Sequence, residues 1–265
     1  MLSLFRSEMF KLRHRMMTRV LLVIVVAAPL AAYVLLGLTG NSDDGSIVQD
    51  LRLSSVHDNS SFIIYQLTVV AAVVLAASSI ASEFAWGTIR TLVPRSAGRS
   101  PLLTAKLMTL LLFVAVSVVL GFMAALAGSL IVTTLRDLDS SLGPNFAGRL
   151  LVALVETSYV CLPYACMAFV VALWTRSSAA GIAVPIVAFY AEVLLTPAFT
   201  SIDALKWLPD ALIYSANVSA LVGSDAILDK SDLPGRLQAA GVLGAYAAVF
   251  VSLAYARFLT RDITS

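Results

Sequence analysis

Long apolar runs alternate with shorter polar stretches along the chain. Each run is about as long as the ~20 apolar residues that a helix needs to cross a bilayer, or longer. The runs cover residues 20–39, 62–82, 104–133, 147–174, 180–197 and 238–259. The pattern predicts an all-α, polytopic membrane protein with six transmembrane helices in one domain over residues 1–265.

Residues 1–19 show a different pattern, with apolar side chains every three or four positions and basic side chains between them. The apolar positions are Leu2, Phe5, Met9, Leu12 and Met16. This spacing is typical of a basic amphipathic helix on an anionic membrane face. A signal-peptide n-region is the alternative, but such regions are short and not amphipathic.

Two long polar segments interrupt the apolar runs. Residues 40–61 are acidic, and we predict an exposed loop there with a solvated His57. Residues 198–237 are amphipathic in the middle but too short and too polar to span. We predict short external re-entrant helices in this second segment, with Trp207 and Tyr214 at the level of the headgroups.

A polar and basic stretch, residues 83–106, connects the second and third apolar runs. Ser82 is a candidate N-cap, and apolar residues recur at roughly helical spacing up to Pro94, which cannot continue a helix. The apolar residues are Phe84, Ile89 and Leu92. The sequence therefore predicts a short amphipathic helix over residues 83–93, of a kind that docks into a groove on a soluble partner.

Composition and charge agree with the membrane assignment and add an orientation. The chain is 59% hydrophobic and 13% charged, with a mean hydropathy of +0.90, whereas soluble domains carry about 25% charged residues. With both termini on one side, that side holds 12 of the 18 basic residues, which makes it cytoplasmic by the positive-inside rule. The topology is N-in/C-in. Since the basic stretches adjoin spans, we expect no nucleic-acid partner.

Motifs for chemistry are missing. The sequence contains no G-x-x-x-x-G-K-[ST], no H-E-x-x-H and no G-x-S-x-G. Cys161 and Cys166 lie five residues apart in one apolar run, so we interpret them as packing residues. We expect no catalytic residues, no metal site and no cofactor on this chain, which is therefore not an enzyme.

Two carboxylates, Glu156 and Glu192, fall within predicted spans. An ionisable group inside a membrane is costly, and so it is a functional candidate. In the functional interpretation, each carboxylate would be a polar group in a substrate cavity, or would bind a proton or a cation. The structural alternative is a carboxylate that reaches the outer interface or pairs locally, as Glu156 would with Arg149.

The stretch after the second run resembles the first cytoplasmic loop of type-2 ABC exporter permeases. The resemblance is carried by Glu83, by the run WGTIRTL over residues 86–92, by Arg95 and Arg99, and by LTAK over residues 103–106. The amphipathic segment 2–17, the turn from Arg176 through Gly181 and the segment before the last span are also similar to that family. The loop 40–61 is longer than in compact members.

The resemblance implies a division of labour between chains. A separate ATPase would bind ATP and Mg and push on residues 83–93, and the chain would be a half-transporter that pairs with itself or with a similar permease. The docking residues would be Glu83, Gly87, Thr88, Ile89, Arg90 and Leu92, with Arg176 as a secondary contact.

The apolar spans favour export of a hydrophobic or amphipathic substrate, such as a drug, an antimicrobial peptide or a lipid, across the plasma membrane. Two other functions stay open. A gradient-driven carrier would depend on Glu156 and Glu192. A non-transporting scaffold or immunity protein would need no ATP hydrolysis.

Overall fold

The computed structural model describes residues 2–39, 52–86, 99–138, 141–205, 207–213, 215–222 and 234–260. All regular structure in these ranges is helical. The α-helices are α1 (Leu2–His14), α2 (Met16–Thr39), α3 (Val56–Ala85), α4 (Arg99–Leu135), α5 (Phe146–Val160), α6 (Leu162–Thr175), α7 (Ser178–Ser201), α8 (Leu208–Ala211), α9 (Ser215–Val222) and α10 (Arg236–Thr260). Two 3-10 turns, Leu53–Ser55 and Asp203–Leu205, precede α3 and α8.

Six helical segments in the described part of the chain are long enough and apolar enough to cross a membrane. They are α2, α3 with its preceding turn, α4, α5 joined to α6, α7 and α10. The fourth segment breaks at Cys161, since Pro163 stands in the first turn of α6 and cannot extend α5. The predicted all-α architecture with six such helices is confirmed.

The central element of the bundle is α3, whose apolar stretch is the most buried of the six. It packs against α4, α6 and α7. Its buried face contains the small residues Ala72, Ala76 and Ala77, and small side chains allow helix axes to approach closely. At Gly128 of α4, an added Cβ would lie 2.7 Å from Cβ of Tyr33, so the glycine allows α2 and α4 to approach closely.

The chain direction defines two ends of the bundle. The α1 end holds α1, the last turn of α3, the first turn of α4 and the turn between α6 and α7. The opposite end holds the start of α3, the start of α5, the short helices α8 and α9, and the start of α10.

The prediction of an exposed loop over residues 40–61 is wrong for its second part. A 3-10 turn covers Leu53–Ser55 and α3 begins at Val56, six residues before the predicted span. His57 is only 4% exposed and is not solvated. The helix extends because this polar turn of α3 packs against α5 rather than facing solvent. Residues 40–51 lie outside the described residues.

The predicted boundary at Ser82 is also wrong. Ser82 does not cap a new helix, because α3 continues through it to Ala85 and closes at Trp86. The polar residues of this last turn stay helical because other elements bind their side chains, as described below. Residues 87–98, which include most of the predicted docking helix, lie outside the described residues.

The two amphipathic segments have helical structure but differ in detail from the prediction. Among the described side chains of α1 the most buried is Glu8, whereas Phe10 is 65% exposed and Met16 belongs to α2. Segment 198–237 contains a 3-10 turn and the short helices α8 and α9, and Trp207 is exposed. Tyr214 lies outside the described residues.

Candidate functional site

Four charged side chains meet at the α1 end, and we call them the charge cluster: Glu8, Lys11, Glu83 and Lys106. Nζ of Lys106 lies 2.7 Å from Oε1 of Glu83 and 3.1 Å from Oε2 of Glu8. Nζ of Lys11 lies 2.7 Å from Oε1 of Glu8 and 3.2 Å from Oε1 of Glu83. Each lysine therefore contacts both acids, and the formal charges cancel.

Three helices bring the charge cluster together. Glu8 and Lys11 are three residues apart on α1 and so share a face. Glu83 stands in the last turn of α3, and Lys106 in the second turn of α4. Exposure of the Lys106 and Glu83 side chains is 6% and 5%, against 37% for Lys11. Since buried charges are tolerated only when they are paired, the cluster fixes α1 against both spans.

The lysines change the acidity of Glu8. Burial by itself would raise the pKa of this carboxyl, but the positive charges of Lys106 and Lys11 outweigh burial and hold the pKa below 4.5. Burial would likewise lower the pKa of Lys11, yet Glu8 and Glu83 raise it above 10.5. Glu8 and Lys11 are thus both charged at neutral pH, in agreement with the 2.7 Å contact between them.

These shifts predict how the stability of the folded protein depends on pH. Glu8 has a lower pKa in the folded than in the unfolded chain, so its contribution is complete above pH 4.5 and is lost as pH falls through the folded pKa. Thermal unfolding midpoints in detergent, measured from pH 7 to pH 3, should therefore fall at the acid end. At pH 7 the unfolding midpoint of the Glu8→Gln variant should be lower than that of the parent, and it should fall less towards pH 3. An acid slope equal to that of the parent would contradict the assignment.

The surroundings of the charge cluster join further elements to α3. Nη2 of Arg15 donates a hydrogen bond to Oγ of Ser82 over 2.9 Å. The guanidinium carbon of Arg176 stands 5.5 Å from the ring centroid of Phe84, within cation–π range. Arg176 has φ 55° where α6 ends, and Oγ of Ser177 accepts the backbone N–H of Ala180 to start α7. The α6–α7 turn is thereby held beside the last turn of α3.

The predicted docking residues divide into two groups, those that the structure describes and those outside the described residues. Glu83 and Arg176 are both at the α1 end. Glu83 stands in the last turn of α3, and Arg176 packs against Phe84, the residue after Glu83. Glu83 is 4% exposed and faces Lys106, so its carboxylate is not at the surface. We therefore place it at the base of the predicted docking helix. The others lie outside the described residues: Gly87, Thr88, Ile89, Arg90 and Leu92.

Sequence reasoning missed the partners of Glu83. It used Lys11 as a basic residue of the amphipathic segment and Lys106 as part of the run LTAK, counted both as topology-setting charges, and gave Glu8 no role. Two signals were present: Glu8 is an acid in a strongly basic helix, three residues before Lys11, and Lys106 lies inside an apolar helix. Neither signal identifies a partner, because Glu8 and Lys106 are 98 residues apart in the chain.

The two carboxylates in the spans have different surroundings. Oε1 of Glu156 lies 3.7 Å from Nη1 of Arg236, so its local partner is Arg236 rather than Arg149. Glu156 lines a cleft of about 640 Å³ at the opposite end of the bundle, and Arg149 lines the same cleft. Glu192 of α7 is not among the described residues lining this cleft, and it accepts a hydrogen bond from the Tyr164 hydroxyl over 3.1 Å.

The fold and the site thus define an all-helical protein with six helices that are long and apolar enough to span a membrane. It belongs to the DUF2705 family, described as proteins of unknown function, whose family model matches residues 20–264. Glu83 and Lys106 fall within the matched segment, and Glu8 and Lys11 precede it. A relative is the uncharacterized protein YhcI of Bacillus subtilis (strain 168), which is 26% identical over 223 residues, 80% of this chain and 69% of YhcI.

Proposed function

We propose that this chain is the membrane-spanning permease subunit of an ATP-driven export complex that resembles the type-2 ABC exporters. The observation that supports it most is the stacking of Arg176 on Phe84. It means that the α6–α7 turn, one of the two segments that the resemblance makes ATPase contacts, lies beside the last turn of α3, after which the other segment begins. A single soluble subunit can therefore contact both.

The side chain of Trp86 adds to this surface. It follows the last turn of α3, at the start of the predicted docking helix, and is 75% exposed. Large aromatic residues are enriched among the side chains that anchor protein interfaces. An exposed tryptophan two residues after Phe84, the residue on which Arg176 lies, suits a docking site for a soluble ATPase.

The charge cluster would transmit the movement of the ATPase to the spans. Glu83 stands just before the stretch 87–98 and Lys106 just after it, so their ion pair joins α3 to α4 where that stretch begins and ends. Glu8 and Lys11 add α1 to the same unit. A push on the stretch would thus move three helices together instead of bending one, and access to a cavity between two permease chains would alternate.

The topology and the remaining partners belong to the same proposal. The basic residues favour a plasma-membrane protein with the α1 end in the cytoplasm, α1 on the inner membrane face, and α8 and α9 outside. The second permease chain would use exposed small residues of α10. Gly241 is exposed, an added Cβ there would meet no atom within 4 Å, and Ala245 is exposed one turn later. The cargo would be hydrophobic or amphipathic.

Affinity purification from native membranes tests the docking claim. We expect a soluble ATPase to co-purify in stoichiometric amount and to be reduced about tenfold or more by Arg90→Glu, since like charges placed across an interface cost several kcal/mol. Arg257→Glu is the control, a charge reversal at an exposed residue of the same end. If the ATPase is retained by Arg90→Glu, or lost equally with Arg257→Glu, the docking surface is not where we place it.

The hydrogen bond between Tyr164 and Glu192 favours one alternative, a gradient-driven carrier, because a carboxylate beside a hydroxyl inside the bundle is suited to proton or cation exchange. Purified protein in proteoliposomes distinguishes the two functions. A carrier would move its substrate under a pH or sodium gradient without ATPase, whereas the export permease would not. If no ATPase co-purifies and no gradient-driven movement is seen, the results favour the scaffold or immunity protein.

A further inference from the structure

The cleft at the opposite end of the bundle lies where three helices begin. Its lining includes His57 and Asp58 from the first turn of α3, Asn145 and Arg149 at the start of α5, and Arg236, the first residue of α10. Its volume is about 640 Å³, enough for a lipid headgroup or a small ligand.

The helix starts make this cleft favourable for an anion. The first N–H groups of a helix have no partner within the helix, and the helix dipole places partial positive charge there. Neither Ser55 before α3 nor Asn145 before α5 forms a side-chain hydrogen bond that caps its helix. An added Cβ at Gly148 would meet nothing within 4 Å, so the backbone of α5 is open to a ligand at the cleft. Phosphate groups bind at helix starts of this kind.

His57 gives independent support for a ligand. It is 4% exposed, and neither ring nitrogen makes a hydrogen bond with the described residues. Its ring packs edge-on against Phe146 at 6.0 Å, and Nε2 lies 3.5 Å from Oδ2 of the exposed neighbour Asp58, beyond good hydrogen-bond geometry. Buried polar groups are nearly always hydrogen-bonded, so an imidazole at the wall of a cleft that has no hydrogen-bond partner among the described residues indicates a ligand that supplies one.

The charges and the walls of the cleft narrow the class of ligand. Arg149 is exposed and pairs with no acid among the described residues, whereas Arg236 is shared with Glu156. Arginine forms bidentate hydrogen bonds with phosphate. Below these polar groups the wall is apolar, with Val152, Ala153 and Leu221. On α5, Leu151 and Val155 continue the apolar surface outward, 63% and 68% exposed.

We propose that the cleft binds the phosphate of a lipid headgroup. Arg149 and Arg236 would hold the phosphate at the starts of α5 and α10, and His57 would donate a hydrogen bond to it. The acyl chains would lie along the exposed apolar face of α5. A lipid is favoured over free phosphate because the apolar wall adjoins the polar groups and reaches the outer surface of a membrane-spanning segment. The proposal does not depend on export.

The test uses the full-length protein in a non-ionic detergent. Binding of fluorescently labelled phosphatidic acid should weaken about tenfold or more in Arg149→Gln, as expected when a hydrogen-bonded charge pair is removed. Arg149→Lys should retain part of the affinity. Arg257→Gln, at the other end of α10, should bind within about twofold of the parent, and thermal unfolding should verify that all variants are folded.

Competition identifies the source of the phosphate. Unlabelled phosphatidylglycerol should displace the labelled lipid, whereas inorganic phosphate at millimolar concentration and the neutral lipid diacylglycerol should not. Displacement by inorganic phosphate as efficient as that by the lipid would overturn the lipid assignment. Equal binding by the parent and Arg149→Gln, or equal displacement by diacylglycerol, would overturn the phosphate site itself.

Discussion

Replacing Lys106 by methionine should destabilise the protein by about 3–5 kcal/mol, the range measured when one partner of a buried ion pair is removed. Lys106 contacts Glu83 at 2.7 Å and Glu8 at 3.1 Å, and its side chain is 6% exposed. Methionine fills much of the volume but removes the buried cation that both carboxylates contact. Chemical unfolding in mixed micelles measures the loss.

Lys11→Met is the matched control for this prediction. Lys11 contacts the same two acids, but its side chain is 37% exposed, so its removal should cost at most about 1 kcal/mol. The double variant Lys106→Glu with Glu83→Lys, which exchanges the two charges, should recover part of the stability that Lys106→Met loses. If Lys106→Met and Lys11→Met have equal effects, the cluster is not organised around Lys106.

Gly181→Val should also be strongly destabilising, by about 1–3 kcal/mol, as is usual when a packed core is overfilled. Gly181 lies in the first turn of α7, where α3, α6 and α7 meet. A Cβ there would be 2.7 Å from Cβ of Ala172 and 2.8 Å from Cβ of Ala77, and neither alanine has a rotamer with which to move away. Because this contact holds the α6–α7 turn against α3, the variant should disturb Arg176 as well.

Gly241→Val, measured on the monomeric protein in detergent, is the control for Gly181→Val, since within one chain a Cβ at Gly241 would meet no atom within 4 Å. Both substitutions add the same group to a helix of similar length, and only the packing differs. Thermal unfolding in detergent should show a large decrease in the midpoint for the first and little change for the second. Similar decreases for both would mean that helix propensity, not the three-helix contact, determines the result.

We expect the charge cluster to contribute specificity more than net stability. Two opposite charges about 4 Å apart attract by about 4 kcal/mol at an effective dielectric constant of 20, while removing each ion from water costs several kcal/mol. These opposing effects nearly cancel, so four apolar side chains in place of the charge cluster would stabilise the folded state about equally well. Apolar contacts, however, would let α1 slide, whereas the ion pairs fix Glu8 opposite Lys106 in one register.

Hydropathy predicted the spans well because each of these helices must be apolar over most of its length, whichever neighbours it has. It failed at both ends of α3. At one end, residues 56–61 are polar but helical, since His57, Ser60 and Ser61 are buried against other elements. At the other end, Ser82 and Glu83 look like the start of a loop, yet Arg15 and Lys106 bind their side chains. A local window contains none of these partners.

The sequence by itself determined the six apolar helices, the basic helix before them and the polar stretch between α3 and α4, because these depend on composition and on periodicity along the chain. Only the tertiary structure decided that Glu8 belongs with Lys106, that Arg176 lies on Phe84 and that Glu156 pairs with Arg236. Each of these contacts joins residues 80 or more positions apart. Such contacts depend on which helix faces pack together, and hydrophobic patterning leaves many packings of six similar helices equally possible.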